Sequence, residues 1–428
     1  MTPIVQSKSS CRMEYLLLLF STLLVSTIQT VPACATQNDF EKSPIFNAAT
    51  IMSAKSIEGP LYKLDAKVSN NGFVNTYNVW SKFGRFEVVS TPSLHILLHE
   101  IDAIAAMKKI ERDDVFVDSL HQSAKNTAHG IKRLFTEPGE TFKGAGEGIK
   151  GLFARAEESL TKSEPSDAED SRMAQILGFS KAKGEIANQF TVSIYTDNLA
   201  LEEELDSLAW ANYLGGLGMA AIQTAVPGGA GVLLSASGAV RLLNETVNLT
   251  PPTELRVQNR RKLTTMSVDE DLIQLFINNP AFTPRNQTFL VTALEKLDGS
   301  ENRELFIKVA LQLHDTDTIM LVTRISLMFA AYHNNITPVK RFYPFSRFVF
   351  AKLQDDRVIL MLPTDYITWN KEFAGAIDAL AREPDKQQLN KAELWTLGTV
   401  SKQAQDELSK RGWIIKTNVS KVLKIDPS

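Results

Sequence analysis

Two histidines and a glutamate on one predicted helix have a spacing that suits metal chemistry. His95 and His99 are four residues apart, so they share a helix face, and Glu100 follows directly. A zinc-protease helix needs His-Glu-x-x-His, however, and Ala103 stands three residues after Glu100. The pattern favours two histidines on the flank of an amphipathic helix. A metal site at His95, His99 and Glu100 is the alternative.

A second cluster of metal-ligating residue types is His314, Asp315 and Asp317. A hydrolase built on a His-Asp pair needs further histidines upstream, and the chain has six histidines in all. The two aspartates are better explained as caps at the start of the helix that follows them.

The glycine-rich run at residues 144–148 has the composition of a nucleotide-binding loop but not its context. A dinucleotide fingerprint follows a strand and opens a helix, and no strand is predicted before this run. The sequence therefore predicts no cofactor and no nucleotide partner, and it identifies no catalytic residue.

The most informative motif is a basic amphipathic repeat between residues 125 and 155. The pattern Gly-Ile-Lys-x-Leu-Phe occurs twice with an offset of eighteen residues, which equals five α-helical turns of about 3.6 residues. Both copies would share a face, although Pro138 predicts a kink between them. Such a stripe can lie at a membrane interface, or it can pack on the protein's own core. The residues expected to contact a membrane or partner are Lys132, Phe135, Phe142, Lys150 and Phe153.

Residues 208–240 contain no charged side chain and break at Pro227. Each half is shorter than the roughly 20 residues that a membrane-spanning helix needs. The glycines and alanines favour a helical hairpin buried in a soluble domain, and partial insertion into a bilayer is the alternative.

The first 35 residues show the order of features that an export signal has. Two basic residues precede an apolar run at 16–25, and Ala33-Cys34-Ala35 ends the segment as a small-x-small site. We therefore expect cleavage before Thr36 and a bacterial protein that is periplasmic or associated with the cell envelope. Lipidation of Cys34 and an uncleaved anchor are the alternatives.

The composition is that of a globular protein. Of 428 residues, 44% are hydrophobic and 22% are charged. The net charge of −3 argues against a nucleic-acid partner. Both cysteines, Cys11 and Cys34, precede the expected cleavage site, so a chain starting at Thr36 would fold without disulfides.

Local patterns predict elements along the whole chain. Alternation with turn signals predicts a β-meander over residues 61–90, and a helix capped by Ser93 follows it. Residues 267–334 predict four antiparallel helices, the first capped by Ser267 and the second opened by Thr283. A β-hairpin around residues 354–356, helices at 371–381 and 391–410, and an edge strand at 413–416 complete the prediction.

Together these elements predict an α+β fold that is predominantly α-helical. It has a small antiparallel β-meander near the mature N-terminus, a central helical array and a C-terminal β-hairpin with helices. The predicted parts are a signal peptide (1–35), the meander with amphipathic helices (36–156), an acidic linker (157–172), a helical domain with the apolar hairpin (173–340) and a C-terminal α+β subdomain (341–428).

These features favour a non-enzymatic envelope protein that contacts a membrane surface or an envelope protein. Two alternatives remain open. One is an exported hydrolase with a dispersed, metal-assisted site, since dispersed catalytic residues leave no local motif. The other is a membrane-inserting protein that uses residues 208–240.

Overall fold

The computed structural model describes residues 40–111, 167–213, 222, 238–345, 348–382 and 391–425, and these form a mixed α+β fold. The predicted export signal, the amphipathic repeat and most of the uncharged segment lie outside the described residues. The chain divides into two compact units. The first unit comprises Met1–Leu94 and Leu297–Leu423, and the second comprises His95–Lys296 and Lys424–Ser428.

The N-terminal part of the first unit is an antiparallel sheet over the residues of the predicted meander, and we keep the name meander for it. Its strand order differs from that of a meander, because β2 pairs with β4 and not with β3. Strand β4 pairs with β2, β3 and β5, and β1 pairs with β3. Buried and exposed side chains alternate along β3, as expected for a sheet with one covered face. The elements are β1 (Ile45–Asn47), α1 (Ala48–Ile51), α2 (Ala54–Ile57), β2 (Tyr62–Leu64), β3 (Lys67–Asn70), β4 (Asn75–Ser81) and β5 (Gly84–Val89).

The C-terminal part of the first unit contains a mixed five-stranded sheet with the order β12-β10-β8-β7-β6. The strands are β6 (Val339–Phe345), β7 (Phe348–Leu353), β8 (Val358–Leu362), β10 (Ala392–Thr396) and β12 (Trp413–Lys416). Strands β6, β7 and β8 are antiparallel neighbours, and β8, β10 and β12 are parallel. Helices α12 (Lys371–Arg382) and α13 (Lys402–Lys410) provide the crossovers that parallel pairing requires. The predicted hairpin and edge strand are confirmed.

The predicted helix over residues 391–410 is wrong in its first half. Residues Ala392–Thr396 form β10, and Thr399–Val400 form β11, which pairs with β9 (Tyr366–Ile367). All five residues of β10 are buried. A strand covered on both faces shows no alternation of apolar and polar residues, so its pattern does not distinguish it from a helix.

Helices cover both faces of this sheet. On one face, Leu394 packs in a core with residues of α12 and α13 such as Ile377 and Leu408. On the other face, the ring of Trp395 lies 5.0 Å from that of Tyr332. Tyr332 belongs to α11 (Thr316–Asn335), which follows α10 (Leu305–Ala310), and α14 (Ser420–Leu423) ends the unit.

The described part of the second unit is helical. Helix α3 (Thr91–Glu111) begins in the first unit and continues into the second. The other helices are α4 (Asp167–Gln189), α5 (Leu199–Tyr213), α6 (Gly238–Leu249), α7 (Pro252–Thr265), α8 (Glu270–Ile277) and α9 (Pro284–Glu295). Residues 167–172, which we expect in the acidic linker, belong to the first turns of α4.

The helix caps agree with the sequence at two positions and differ at two. Ser93, the predicted cap of α3, lies inside that helix, which begins at Thr91, and its N–H donates to the hydroxyl of Ser90. Thr283 caps α9, and Asp315 caps α11 by accepting the N–H of Thr318 at 2.8 Å. Helix α8 is capped by Asp269, whose carboxylate accepts two N–H groups. The predicted cap Ser267 instead has a φ of 58°, so it turns the chain before the helix.

The two units differ from the predicted domain boundaries, because the meander belongs with the C-terminal sheet. The carbonyl oxygen of Gly72 accepts the N–H of Thr368 at 3.1 Å, and that of Phe73 accepts the N–H of Asp365 at 2.9 Å. These backbone hydrogen bonds join segments that are far apart in sequence, which local patterns do not reveal.

Two glycine substitutions test the packing of the first unit. A Cβ at Gly398, between β10 and β11, would collide with the carbonyl oxygen of Asp365, so Gly398→Ala must displace backbone. We expect it to lower the free energy of unfolding by roughly 1–3 kcal/mol in urea denaturation. The control is Gly375→Ala in α12, where a Cβ meets no atom within 4 Å. That variant should be neutral or stabilised by up to about 1 kcal/mol. Equal stabilities for the two variants would contradict this packing.

Candidate functional site

A buried polar pair interrupts the apolar surface of α3. His99 is 4% exposed and Glu100 is 8% exposed, and most side chains of this helix from Leu94 to Ile110 are buried. Burying a polar group is costly unless it is hydrogen-bonded. The partners of the pair therefore indicate its role.

His99 binds the start of the segment that connects α4 to α5, which we call the α4–α5 loop (residues 190–198). Its Nε2 lies 2.8 Å from the carbonyl oxygen of Phe190 and 2.9 Å from Oγ1 of Thr191. A carbonyl oxygen can only accept a hydrogen bond, so Nε2 carries a proton. The imidazole therefore donates to the loop whether it is neutral or positively charged.

Glu100 binds the end of the same loop. The hydroxyl of Thr196 donates to Oε1 at 2.7 Å, and Nδ2 of Asn198 donates to Oε2 at 3.1 Å. Both carboxyl oxygens thus have partners in the loop. Two adjacent residues of α3 hold the two ends of one connection.

The loop is shaped by its own serine and threonines. Thr191 has a φ of 54°, so the backbone leaves the helical conformation just after the end of α4. The hydroxyl of Ser193 accepts the N–H of Tyr195, and that of Thr196 accepts the N–H of Asn198. Short turns of this kind are typical of Ser and Thr. Thr196 therefore accepts from the loop while it donates to Glu100.

Helix α6 holds the middle of the loop through Asn248. Its Oδ1 accepts the N–H of Ile194 at 3.2 Å, and its Nδ2 donates to the carbonyl oxygen of Val192 at 2.8 Å. Nδ2 also lies 2.8 Å from Oδ1 of Asn188. A side-chain amide does not titrate, so this attachment is independent of pH.

Burial raises the pKa of Glu100 to about 7. The hydrogen bonds from Thr196 and Asn198 oppose this rise, the charge of Asp197 adds to it, and the charge of Arg285 opposes it. The carboxyl therefore exchanges a proton near neutral pH, because a charged form is disfavoured in a buried position.

Burial shifts the neighbouring histidine in the opposite direction. It lowers the pKa of His99, against the hydrogen bonds to the loop backbone and the charge of Asp102. The pKa of Asp102 is itself raised by burial, with His99 opposing the rise. His99 and Glu100 thus both favour their neutral forms in the folded protein.

The structure does not arrange His95, His99 and Glu100 as a set of metal ligands. Across the described ranges, no group of three or more His, Cys, Asp or Glu side chains could hold a metal ion. Nε2 of His99 and both oxygens of Glu100 already have loop partners, and His95 is half-buried one turn earlier on α3. The remaining predicted site residues lie outside the described residues: Lys132, Phe135, Phe142, Lys150, Phe153 and Cys34.

The first unit contains a second polar centre, at the partly buried Asp365, which the sequence did not predict. Oδ2 of Asp365 accepts the N–H of Asn75 at 2.8 Å, and both oxygens accept the N–H of Thr91, at 3.1 and 3.2 Å. Thr91 is the first residue of α3, so the carboxylate also complements the positive end of that helix. One signal was present: Thr364 and Asp365 follow the buried strand β8 after a single proline, at the carboxyl edge of the parallel strands β8 and β10.

Arg324 of α11 adds a positive charge to this centre. Its Nη1 and Nη2 lie 3.1 and 3.4 Å from the hydroxyl oxygens of Ser90 and Ser93. Burial lowers the pKa of Arg324 to about 10, and the charges of Asp365 and Asp317 oppose the change. The centre therefore connects the meander, the first turn of α3 and the C-terminal sheet.

Comparisons with protein-family models, curated proteins and solved structures found no match to this chain. Among the described helices, none has the length and apolar character needed to cross a membrane.

Replacing the buried carboxyl tests its titration. Because folding raises the pKa of Glu100, its contribution to stability is complete below about pH 4.5 and is lost as the pH rises through about 7. The difference in unfolding free energy between wild type and Glu100→Gln should therefore fall by about 3 kcal/mol from about pH 4.5 to about pH 8. Denaturant unfolding at several pH values measures this difference. A difference that is constant with pH would show that Glu100 is not perturbed.

Proposed function

We propose that this protein is exported and works at the cell envelope, through non-enzymatic contact with an anionic membrane surface. The observation that carries the proposal is the amphipathic repeat at residues 125–155. This segment has six basic and three acidic side chains, whereas the whole chain has a net charge of −3. A local basic excess next to an apolar stripe is typical of interfacial helices.

The two kinds of side chain in the repeat have separate tasks in this proposal. Phe135, Phe142 and Phe153 enter the boundary between headgroups and acyl chains. Lys132 and Lys150 remain at the headgroups, where each basic residue contributes about 1 kcal/mol on an anionic surface. Because the copies are eighteen residues apart, a helical repeat brings both sets to one side.

The described polar centres support binding rather than catalysis. His99 and Glu100 are engaged in holding the α4–α5 loop, and Asp365 is engaged in holding backbone N–H groups. Side chains occupied in this way serve the fold. The charged, amphipathic repeat is the feature of the sequence that is suited to an external partner.

The fate of the predicted signal peptide determines how strongly the repeat must bind the membrane. A single lipid chain anchors a protein only marginally, so a lipid on Cys34 would benefit from a second, basic contact. A chain that starts at Thr36 would depend on the repeat for its attachment. Both forms are compatible with the proposal, and they predict different membrane affinities.

Vesicle binding tests the repeat. The full chain should sediment with vesicles of phosphatidylcholine and phosphatidylglycerol and should be released by salt. Replacing Lys132 and Lys150 by Ala should weaken binding roughly thirtyfold, from about 1 kcal/mol per residue. The matched control replaces the exposed Lys67 and Lys82 of the first unit and should bind like wild type. Phe135→Ala with Phe153→Ala should also weaken binding. The proposal would be rejected if the vesicles did not retain the wild-type protein. It would also be rejected if replacing either pair of lysines weakened vesicle binding equally.

The mature N-terminus tests the export step. Intact-mass spectrometry of the protein from its natural host should show a chain that starts at Thr36, or one that starts at a lipid-modified Cys34. Replacing Ala33 and Ala35 by bulky residues should block the first outcome, because the cleavage site needs small side chains. A full-length chain that retains Met1 in the cytoplasmic fraction would contradict export, and it would leave the vesicle result to stand alone.

A further inference from the structure

We infer that the α4–α5 loop is a pH-responsive latch, held on α3 by two adjacent residues whose titrations act in opposite directions. His99 holds the start of the loop and Glu100 holds its end. Asn248 holds the middle through a group that does not titrate. Proton exchange therefore changes the two outer attachments and leaves the central one unchanged.

The Glu100 attachment weakens as the pH rises. The protonated carboxyl is neutral, and the hydroxyl of Thr196 can reverse its hydrogen bond to accept from it. The ionised carboxylate is a buried charge that two neutral donors compensate only in part, and opening the loop returns it to water. Within the described structure, Oδ1 of Asn198 and the hydroxyl of Tyr195 are also buried without hydrogen-bond partners. Water that enters on opening would satisfy both atoms.

The His99 attachment weakens as the pH falls. Nε2 donates to the carbonyl oxygen of Phe190 in either charge state, so the hydrogen bond itself survives protonation. The added charge is buried, however, and the open loop would let water solvate it. Acid therefore favours opening at His99, and base favours opening at Glu100.

Other charged groups around the pair modify these two effects. Asp102 lies one turn after His99 on α3 and favours its protonation. Asp197 in the loop disfavours ionisation of Glu100, and Arg285 of α9 favours it. These groups shift the midpoints of the two titrations. They do not change the direction in which each titration affects the loop.

Hydrogen exchange on the full chain tests the latch. The readout is the protection of the amides from Val192 to Asn198 after correction for the intrinsic exchange rate at each pH. In His99→Gln, where Glu100 alone titrates, protection should fall roughly thirtyfold between about pH 5.5 and about pH 8.5. In Glu100→Gln, where His99 alone titrates, protection should rise over the lower half of that range. In the wild-type protein the two effects should partly cancel, so protection should change less with pH than in either variant.

The matched control is Asn248→Ala, which removes the attachment that does not titrate. Its protection should be lower at every pH, with the same pH dependence as wild type. Slopes of the same sign in the two titrating variants, or no pH dependence in His99→Gln, would overturn the latch.

A second measurement covers the case in which a variant fails to fold. The side-chain carboxyl carbon of Glu100 in the wild-type protein can be followed by NMR as the pH is changed. A midpoint well above the ordinary glutamate range supports the latch, and a midpoint within that range overturns it. Neither readout depends on membrane binding, so failure of the latch and failure of the proposed function are distinguishable.

Discussion

One partly buried carboxylate, Asp365, joins segments of the first unit that are far apart in sequence. Asp365 accepts the N–H groups of Asn75 and Thr91, and the first of these donors is 290 residues away in sequence. Each buried N–H that loses its acceptor costs about 1–3 kcal/mol. Asp365 therefore holds the meander and the first turn of α3 against the C-terminal sheet, together with the backbone hydrogen bonds that the carbonyl oxygens of Gly72 and Phe73 accept. Partial burial raises the pKa of Asp365, and the hydrogen bonds from Asn75 and Thr91 and the positive charge of Arg324 oppose that rise.

Glu100 in the second unit is served by a different kind of donor. Asp365 receives hydrogen bonds from backbone N–H groups, which can only donate. Glu100 receives one from the hydroxyl of Thr196, which can also accept. Burial raises the pKa of both carboxyls. The hydroxyl at Glu100 can accept a hydrogen bond from the protonated form, whereas the backbone N–H groups at Asp365 cannot. The donors therefore match an ionised carboxylate at Asp365 and either protonation state at Glu100.

Local elements of the fold could be predicted from the sequence, and their long-range partners could not. The strands of the meander, the hairpin of β7 and β8, and the caps Thr283 and Asp315 follow from patterns a few residues long and are present in the structure. The pairing of β2 with β4 has no such local signal. Strand β10 was predicted as helix because it is buried on both faces. The capping-box pattern places the cap of α8 at Ser267, whereas Asp269, two residues later, caps the helix in the structure. Nothing local indicates that the meander joins the C-terminal sheet.

The candidate site shows the same limit more sharply. The residue types of His99 and Glu100 suggest a metal site. Their hydrogen-bond partners are instead threonines, an asparagine and a backbone carbonyl more than ninety residues away in sequence. Such partners have no recognisable spacing in the sequence. The polar residues of the loop become partners of His99 and Glu100 only in the folded protein, where α3, α4 and α6 surround the loop. The amphipathic repeat is the reverse case. Its residues are near one another in sequence, so the pattern alone suggests a contact surface. A sequence therefore suggests a contact surface formed by a single helix more readily than it suggests a polar centre assembled from several helices and loops.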